Sequence, residues 1–471
     1  MWEVPGRNCF PRSTMVRGIS LSFSAVEFLG LQKSRTTVGM EHNIEPISSP
    51  IFHNKKIKEQ LDKIQQASEQ AQQKIDYYTA HDEHIVHAIQ VVEEFLKKKH
   101  RICYGGQALN AHLPAKYKFY DPEYSIPDYD FFTPSQNEDI AVLVKDLKRA
   151  GFTEISAREG MHKGTVKIYV EFVPVADMTQ IDRKLYNVLS ARESRMNGIS
   201  YLDANTLRML MYLELSRPRG ELKRWTKVYE RLLLFNEFIP PTTCSNMKKV
   251  FKQTLTKEQV DQIVSFIIEN DCIFAGADLA DLYDGALHRM HHKKHDSKWT
   301  LSSKKPIVFL SSDPEKHAQE LVYRLDKALT IKTHTSTDVD LIPSMTFIYQ
   351  GKQLCVLIVH QSACQSYVTV ALRTGTTRHL KIASMDTLIT LYFSLGLFRS
   401  TFFDMGSMEC LAEKLVQLSV KARTNPDTFP FPFISIKCVG HQRTVPSLIR
   451  SKVKRITKKK TELKNILEDT D

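Results

Sequence analysis

The stretch Ile126-Pro127-Asp128-Tyr129-Asp130-Phe131-Phe132 constrains this chain more than any other. Two carboxylates stand one residue apart among apolar and aromatic neighbours. Side chains of a β-strand alternate between faces, so Asp128 and Asp130 would point one way and Tyr129 and Phe131 the other. Two carboxylates held that close repel each other, and a half-buried strand tolerates them best beside a cation. A pair of divalent metals about 4 Å apart, used for phosphoryl transfer, is the usual arrangement. The competing reading of the same residues is a turn, since Asp and Pro are common in loops.

The flanking segments favour the metal reading. Upstream, Arg101-Ile102-Cys103-Tyr104-Gly105-Gly106-Gln107-Ala108-Leu109-Asn110 reads as a short strand, a Gly-Gly turn and a helix start. Glycines there let backbone approach a phosphate, and the N–H groups of a helix N-terminus favour an anion. Downstream, Thr165–Val175 is a β-branched and aromatic run with Glu171 in its middle. An acid in so apolar a strand needs a partner, and a metal shared with Asp128 and Asp130 would supply one. Asp177 is the rival third ligand, and is read here as the N-cap of a following helix.

Strand, Gly-Gly, helix, Asp-x-Asp on a strand and one acid on a further strand form the signature of polymerase-β-type nucleotidyltransferases. Tyr104-Gly105-Gly106, Pro127-Asp128-Tyr129-Asp130-Phe131-Phe132-Thr133-Pro134 and Glu171-Phe172-Val173-Pro174-Val175-Ala176-Asp177 resemble the poly(A) polymerase catalytic subunits of large cytoplasmic DNA viruses. The resemblance covers residues 80–240 and weakens beyond. The chain departs from the pattern twice. The interval from Gly106 to Asp128 is longer than in compact members, which implies an insertion, and Glu stands where Asp is commoner as third acid.

The length of 471 residues allows two or three domains. No run of eighteen apolar residues occurs, so no membrane-spanning helix is expected. The formal net charge of +12 suits a polyanionic partner such as RNA. The eight cysteines are scattered without a Cys-x-x-Cys pair, which indicates neither a zinc ribbon nor a disulfide scaffold and fits a reducing compartment. His288, His291 and His295 could share a helix face, but Lys293 and Lys294 beside them disfavour a cation.

The expected class is α/β (α+β). Residues 1–54 read as a flexible extension, and Met40 opens a more ordinary polar N-terminus. Residues 55–178 form the nucleotidyltransferase module with a leading helix whose Ile85, Ile89, Val92 and Phe95 pack on its sheet. A helix at 139–150 ends at Gly151. Residues 179–300 read as helical, with Arg224, Lys227 and Arg231 on one helix face. That face is either solvated or a clamp for triphosphate or RNA phosphates. Leu143–Ala150 parallels Leu321–Ala328 at an offset of 178, which places Pro306 and Val308 where Asp128 and Asp130 stand. The strand Leu354–Val359 takes the place of the Glu171 strand without an acid, and Ile382–Asp386 echoes Ile199–Asp203. Residues 301–440 therefore read as a degenerate copy, as the family resemblance also implies. Asp338 and Asp340, an Asp-x-Asp inside that copy, follow a loop-like stretch and are not expected to be catalytic. The basic tail, 441–471, is either solvated or an electrostatic hold on RNA.

Together these point to a template-independent RNA adenylyltransferase. Two Mg²⁺ or Mn²⁺ ions would be held by Asp128, Asp130 and Glu171, and the phosphates of ATP by Gly105, Gly106, Arg224, Lys227 and Arg231. The RNA 3′ end would be the acceptor. The choice of ATP, a location in the host cytoplasm or the virion, and room for a homodimer or processivity partner rest on the resemblance. The alternatives are CCA addition, transfer to a small molecule, or a non-catalytic RNA-binding scaffold on this fold.

Overall fold

The structure, a computed structural model, describes residues 55–242, 255–292, 305–325, 328–374, 376–424, 426–427 and 429–468. The extension at 1–54 and His295 lie outside the described residues. The chain divides into two units, Met1–Gln66 and Ala67–Asp471. Of the first, residues 55–66 are described and are helical, as the opening turns of α1 (Lys55–Ala80). Everything that follows belongs to the second.

The helical stretch up to Lys99 breaks after α1, because Asp82 caps α2 (Glu83–Lys99) by accepting from the amides of His84 and Ile85. One face of α2 buries Ile85, Ala88, Ile89, Val92, Phe95 and Leu96. Phe95 meets Phe131 of the sheet at 5.9 Å between ring centroids, and Glu93 accepts from the Tyr129 hydroxyl at 2.7 Å. Next come β1 (Ile102–Tyr104), α3 (Gly105–His112), β2 (Tyr129–Thr133), α4 (Gln136–Arg149), β3 (Ile155–Glu159), β4 (Thr165–Val170) and β5 (Val173–Gln180). Then α5 (Arg183–Ser190) precedes β6 (Ser194–Met196) and β7 (Ile199–Tyr201). The seven strands form one mixed sheet in the order β3-β4-β5-β2-β1-β7-β6.

The β6–β7 hairpin corrects the helical reading of this stretch. Asn197 and Gly198 both adopt positive φ, 53° and 82°, and an Asn-Gly pair of that kind matches the right-handed twist of the flanking strands. The chain then becomes helical, with α6 (Ala204–Leu215), capped by Asp203, and α7 (Trp225–Phe238).

The remaining elements are α8 (Lys257–Glu269), β8 (Ile273–Phe274), α9 (Asp278–His292), β9 (Ile307–Ser311), α10 (Pro314–Leu325), β10 (Thr330–His334), β11 (Met345–Gln350), β12 (Gln353–His360), β13 (Gln365–Thr374), β14 (Thr376–Ala383), α11 (Met385–Leu397), α12 (Met405–Thr424), β15 (Cys438–Val439) and α13 (Val445–Glu468). Their sheet runs β10-β11-β12-β9-β8-β14-β13-β15. Apart from the added β15, this is the first sheet again, strand for strand. β12 pairs parallel with β9 as β5 does with β2, and β8 pairs antiparallel with β9 as β1 does with β2. The copy starts earlier than residue 301, since it takes in β8. β12 answers to β5 and not to a strand centred on Glu171.

The offset of 178 holds in detail: residues 129–133 of β2 map onto 307–311 of β9, and the first residue of α4, 136, onto the first of α10, 314. The turn between strand and helix repeats as well. Thr133 Oγ1 donates to the Asp139 carboxylate and accepts from the Ser135 amide at 3.0 Å. Ser311 Oγ bonds His317 Nδ1 at 2.7 Å and accepts from the Asp313 amide at 2.9 Å. The counterparts of Asp130 and its β5 neighbour are Val308 and Leu357, both fully buried. Carboxylates have given way to core, so this copy lacks the paired acids of the first.

Asp338 and Asp340 join the two halves. Asp338 Oδ2 accepts from the Asp182 amide at 3.0 Å, and Asp340 pairs with Arg217 at 2.6 Å. Cys364 and Cys438 form a disulfide that ties β15 to the start of β13, with Cα atoms 5.6 Å apart. Cysteine spacing in the sequence does not indicate this pair. The two residues lie 74 apart in sequence, and only the sheet brings them together. The basic tail is in part an anchor: Arg455 donates to Glu159 at 2.7 Å and to the carbonyls of Met161 and Gly160 at 2.9 and 3.2 Å.

The turn that leaves β2 is held by Arg101, whose Nε and Nη2 bind the two oxygens of the fully buried Asp139 at 2.6 and 2.9 Å. Breaking a buried bidentate pair strands a charge. Asp139→Ala is expected to lower stability by about 3 kcal/mol, read from urea unfolding midpoints. Asp139→Asn, which keeps hydrogen bonds to Thr133 and Arg101 available, is expected to lose less.

Candidate active site

Asp128 is the residue immediately before β2 and is exposed, whereas Asp130 lies inside the strand and is half-buried. The parallel register of β2 with β5 sets Asp130 beside Asp177. Side chains of directly paired residues leave the same face of a sheet, so Asp128, Asp130 and Asp177 share one side. Asp177 is in the middle of β5 and nearly fully buried. It is not an N-cap: Asp182 does that work for α5, accepting from the amides of Lys184 and Leu185.

Glu171 stands elsewhere. With Phe172 it forms the tight turn between β4 and β5, both residues at positive φ, 48° and 70°. Its side chain is exposed and pairs with His84 at 3.2 Å. The strand from Val173 to Asp177, roughly 13 Å at the usual rise, and the turn itself separate it from Asp177. The expected placement of Glu171 inside an apolar strand, next to the other two acids, is therefore corrected. The signal that could have found Asp177 is the run Val175-Ala176-Asp177-Met178, an acid flanked by buried apolar residues on both sides. Pro174 is the second residue of this strand, where a proline is tolerated.

Burial and like charge act on this face together. Desolvation, followed by the charges of Asp128 and Asp177, pushes the Asp130 carboxyl up to about 7. Desolvation also raises Asp177, against the pull of Lys167. Lys167 pairs directly with Asp177 across β4 and β5 and is ion-paired to its Oδ2. The other oxygen of Asp177, Oδ1, is buried without a hydrogen-bond partner.

Gly105 and Gly106 adjoin the carboxylates. Gly105 follows the β1 residue paired with Asp130 and has φ of 73°. A Cβ there would fall 2.5 Å from Asp130 Oδ2, so only glycine fits the approach of this backbone to the acid. A Cβ on Gly106 would collide with the Tyr120 hydroxyl and come within 2.9 Å of Arg231 Nη1. Arg231 is thereby brought to the glycine turn. It donates to the Tyr120 hydroxyl at 2.9 Å and lies over the Phe119 ring at 4.4 Å. Asn110 accepts from the amides of Phe119 and Tyr120 and fixes the inserted segment between α3 and β2 to that helix.

The three cations of the α7 region differ in their state. Arg224 precedes α7 and pairs with Glu214 at 3.1 Å and Glu221 at 3.5 Å, and its charge also reaches Asp130. Lys227 is exposed with no ion-pair partner among the described residues, and desolvation, then Arg231 and Arg224, lower its pKa. Like-charge crowding of this kind is relieved by an anion.

The donor chemistry fits a hard divalent cation. Carboxylate oxygens come from two adjacent strands, one of them buried and unsatisfied. Among the described residues no three His, Cys, Asp or Glu side chains already converge in ligating geometry, and Asp177 is turned to Lys167 instead. Among them, too, no helix is long and apolar enough to cross a membrane.

Comparison with known proteins falls on this same face. Residues 90–221 match the family model of the poly(A) polymerase catalytic subunit. The inferred poly(A) polymerase catalytic subunit of African swine fever virus is 34% identical over 157 residues, 32% of this chain and 33% of that protein. Its counterpart from Acanthamoeba polyphaga mimivirus is 29% identical over 149 residues, 31% of this chain and 25% of that protein. The matches thus span a third or less of these curated relatives. The crystal structure of the Megavirus polyadenylate synthase superposes with a TM-score of 0.66 over 90% of this chain and 86% of that one, at 15% identity. The chain therefore shares the overall fold of that synthase, and here the fold consists of two related α/β halves.

The raised Asp130 gives a pH signature to the metal-free protein. Its native pKa of about 7 exceeds the ordinary 3.8, so the native state holds a proton that the unfolded chain has lost. Stability contributed by this group is present below about pH 4 and is lost as pH rises through about 7. In chelator, unfolding midpoints are expected to fall between pH 5 and pH 8, and Asp130→Asn is expected to flatten that fall.

Proposed function

We propose that this chain is a template-independent RNA adenylyltransferase that adds AMP from ATP to RNA 3′ ends. The observation that carries the proposal is the pairing of Asp130 with Asp177 on adjacent parallel strands, with Asp128 on the same face and the Gly105-Gly106 turn against Asp130. The match of residues 90–221 to a poly(A) polymerase family supports it.

In this reading Asp128 and Asp130 would hold one divalent ion and all three acids a second, Mg²⁺ or Mn²⁺ in both cases. When bound, such ions activate the 3′-hydroxyl and offset charge on the departing pyrophosphate. Asp177, not Glu171, is the third carboxylate. The N-terminal amides of α3 face the phosphates, and Gly105 and Gly106 allow backbone to reach them. Lys227 and Arg231 supply positive charge from α7, and Arg224 adds to it where Glu214 and Glu221 release it. Arg231, seated between Phe119 and the glycine turn, also orders the inserted segment. The net positive charge favours a polyanionic acceptor over a small molecule. The host cytoplasm, and a homodimer or processivity partner, are compatible with this reading.

Purified protein, labelled RNA and each nucleoside triphosphate in turn, with Mg²⁺ or Mn²⁺, provide the test. Extension with ATP is expected to exceed that with the other three. Extension limited to CTP and then ATP would indicate CCA addition, and none at all a scaffold. In the same assay Asp177→Asn is expected to cost at least a hundredfold and Glu171→Gln less than threefold. The reverse ranking would return the role to Glu171. Asp338→Ala with Asp340→Ala is expected to leave the rate within about threefold, a barrier change below about 0.7 kcal/mol. That pair holds the halves together, so its loss is expected in thermal stability.

A further inference from the structure

The ion pair between Lys167 and Asp177 is one feature that the proposed function does not use. Lys167 projects from β4 directly opposite Asp177 of β5. Its side chain is 34% exposed, while that of Asp177 is 9% exposed, so the ammonium reaches inward from the rim to a buried acid. Its charge is also felt by Asp128 and Asp130. One lysine is thus paired with Asp177, and its charge also reaches the other two carboxylates of a face on which the three repel one another.

We propose that Lys167 is a tethered counter-ion. It occupies Asp177 when the centre holds no metal, and the divalent cation that Asp177 shares with Asp128 and Asp130 must displace it. This inference rests on the carboxylate reading of the site. Three observations favour it. Asp177 gives one oxygen to Lys167 and keeps the other, Oδ1, buried and unpartnered. The β4–β5 register sets Lys167 directly opposite Asp177, so the ammonium lies on the carboxylate face. A lysine, unlike an arginine, is a point charge on a flexible stem, so it can leave its partner without rearranging the sheet.

The arrangement orders the two metals. The ion that enters with nucleotide, on Asp128 and Asp130, meets no bound ammonium. The ion that also uses Asp177 must compete with Lys167, so its affinity is the lower of the two until Lys167 finds another anion. A phosphate of the bound RNA or nucleotide is the nearest chemistry of that kind, and the rim position of Lys167 leaves it within reach of one.

The test is a Mn²⁺ titration of the full chain without nucleotide, followed by the loss of the free-ion paramagnetic resonance signal. Lys167→Met is expected to bind the Asp177-dependent ion at least tenfold more tightly than the native protein, and to melt several degrees lower in chelator. Lys167→Arg, which keeps the charge on a fork that grips a carboxylate more firmly, is expected to bind that ion no more tightly than the native protein. Titrations of Lys167→Met and native protein that superimpose, with Asp177→Asn still weakening binding, would overturn the inference and leave the carboxylate site standing. Absence of Mn²⁺ binding in both proteins would overturn both. Should Lys167→Met not fold, the native protein answers alone. Acetylation of Lys167, read by peptide mass spectrometry, is expected to quicken severalfold on adding Mn²⁺, and an unchanged rate would overturn the displacement.

Discussion

The parallel pairing of β2 with β5 is the interaction on which the rest of this molecule depends. It sets Asp130 beside Asp177 on a largely buried face, an arrangement that desolvation and like charge both oppose. The surrounding fold offsets that cost in several ways. Strand β1 closes one side with Tyr104 paired to Asp130, and the backbone then turns at a glycine because no Cβ fits against the acid. Strand β4 closes the other side with Lys167. Below the sheet, α2 supplies apolar packing from Val92 to Leu96. The Arg101–Asp139–Thr133 cluster pins the strand exit. A face on which carboxylates crowd is thereby held in place by its neighbours, as the proposed cation site requires.

The second half of the chain shows what the same frame does without that cost. At the positions of Asp130 and Asp177 it carries Val308 and Leu357, fully buried, and the turn after its central strand swaps the Thr133–Asp139 contact for Ser311–His317. Its helix α11 packs against α6, where Ser394 Oγ approaches Met209 Sδ at 3.4 Å. Asn205 of α6 donates to Glu409 and Glu413 of α12. The copy thus packs against α6, the helix that precedes the cation-bearing α7.

Much of this was legible in the sequence because two periodicities are robust. The two-residue period of a strand put Asp128 and Asp130 on one side, and the offset of 178 located the copy and the loss of its acids. What failed depended on contacts between distant residues. Asp177 looked like a helix cap because the expected strand stopped at Val175, and its true place follows from the register with β2. Glu171 looked buried because apolar residues surround it in sequence, yet it occupies a turn whose positive φ values nothing in its side chain announces. The partner of Cys364, at Cys438, and the anchoring of Arg455 on Glu159 are likewise properties of the folded sheets. The β6–β7 hairpin was there to be read, in Asn197-Gly198, and was missed beneath the apolar run that follows.

The central claim is that one half of a duplicated fold holds divalent metal between β2 and β5 and the other half holds none. The measurement that tests it most directly is an anomalous difference map from crystals grown with ATP and Mn²⁺. Peaks are expected between Asp128, Asp130 and Asp177, with none at Glu171 and none beside Val308 and Leu357. A peak on Glu171, or the absence of any peak on the Asp128–Asp130 face, would contradict the account.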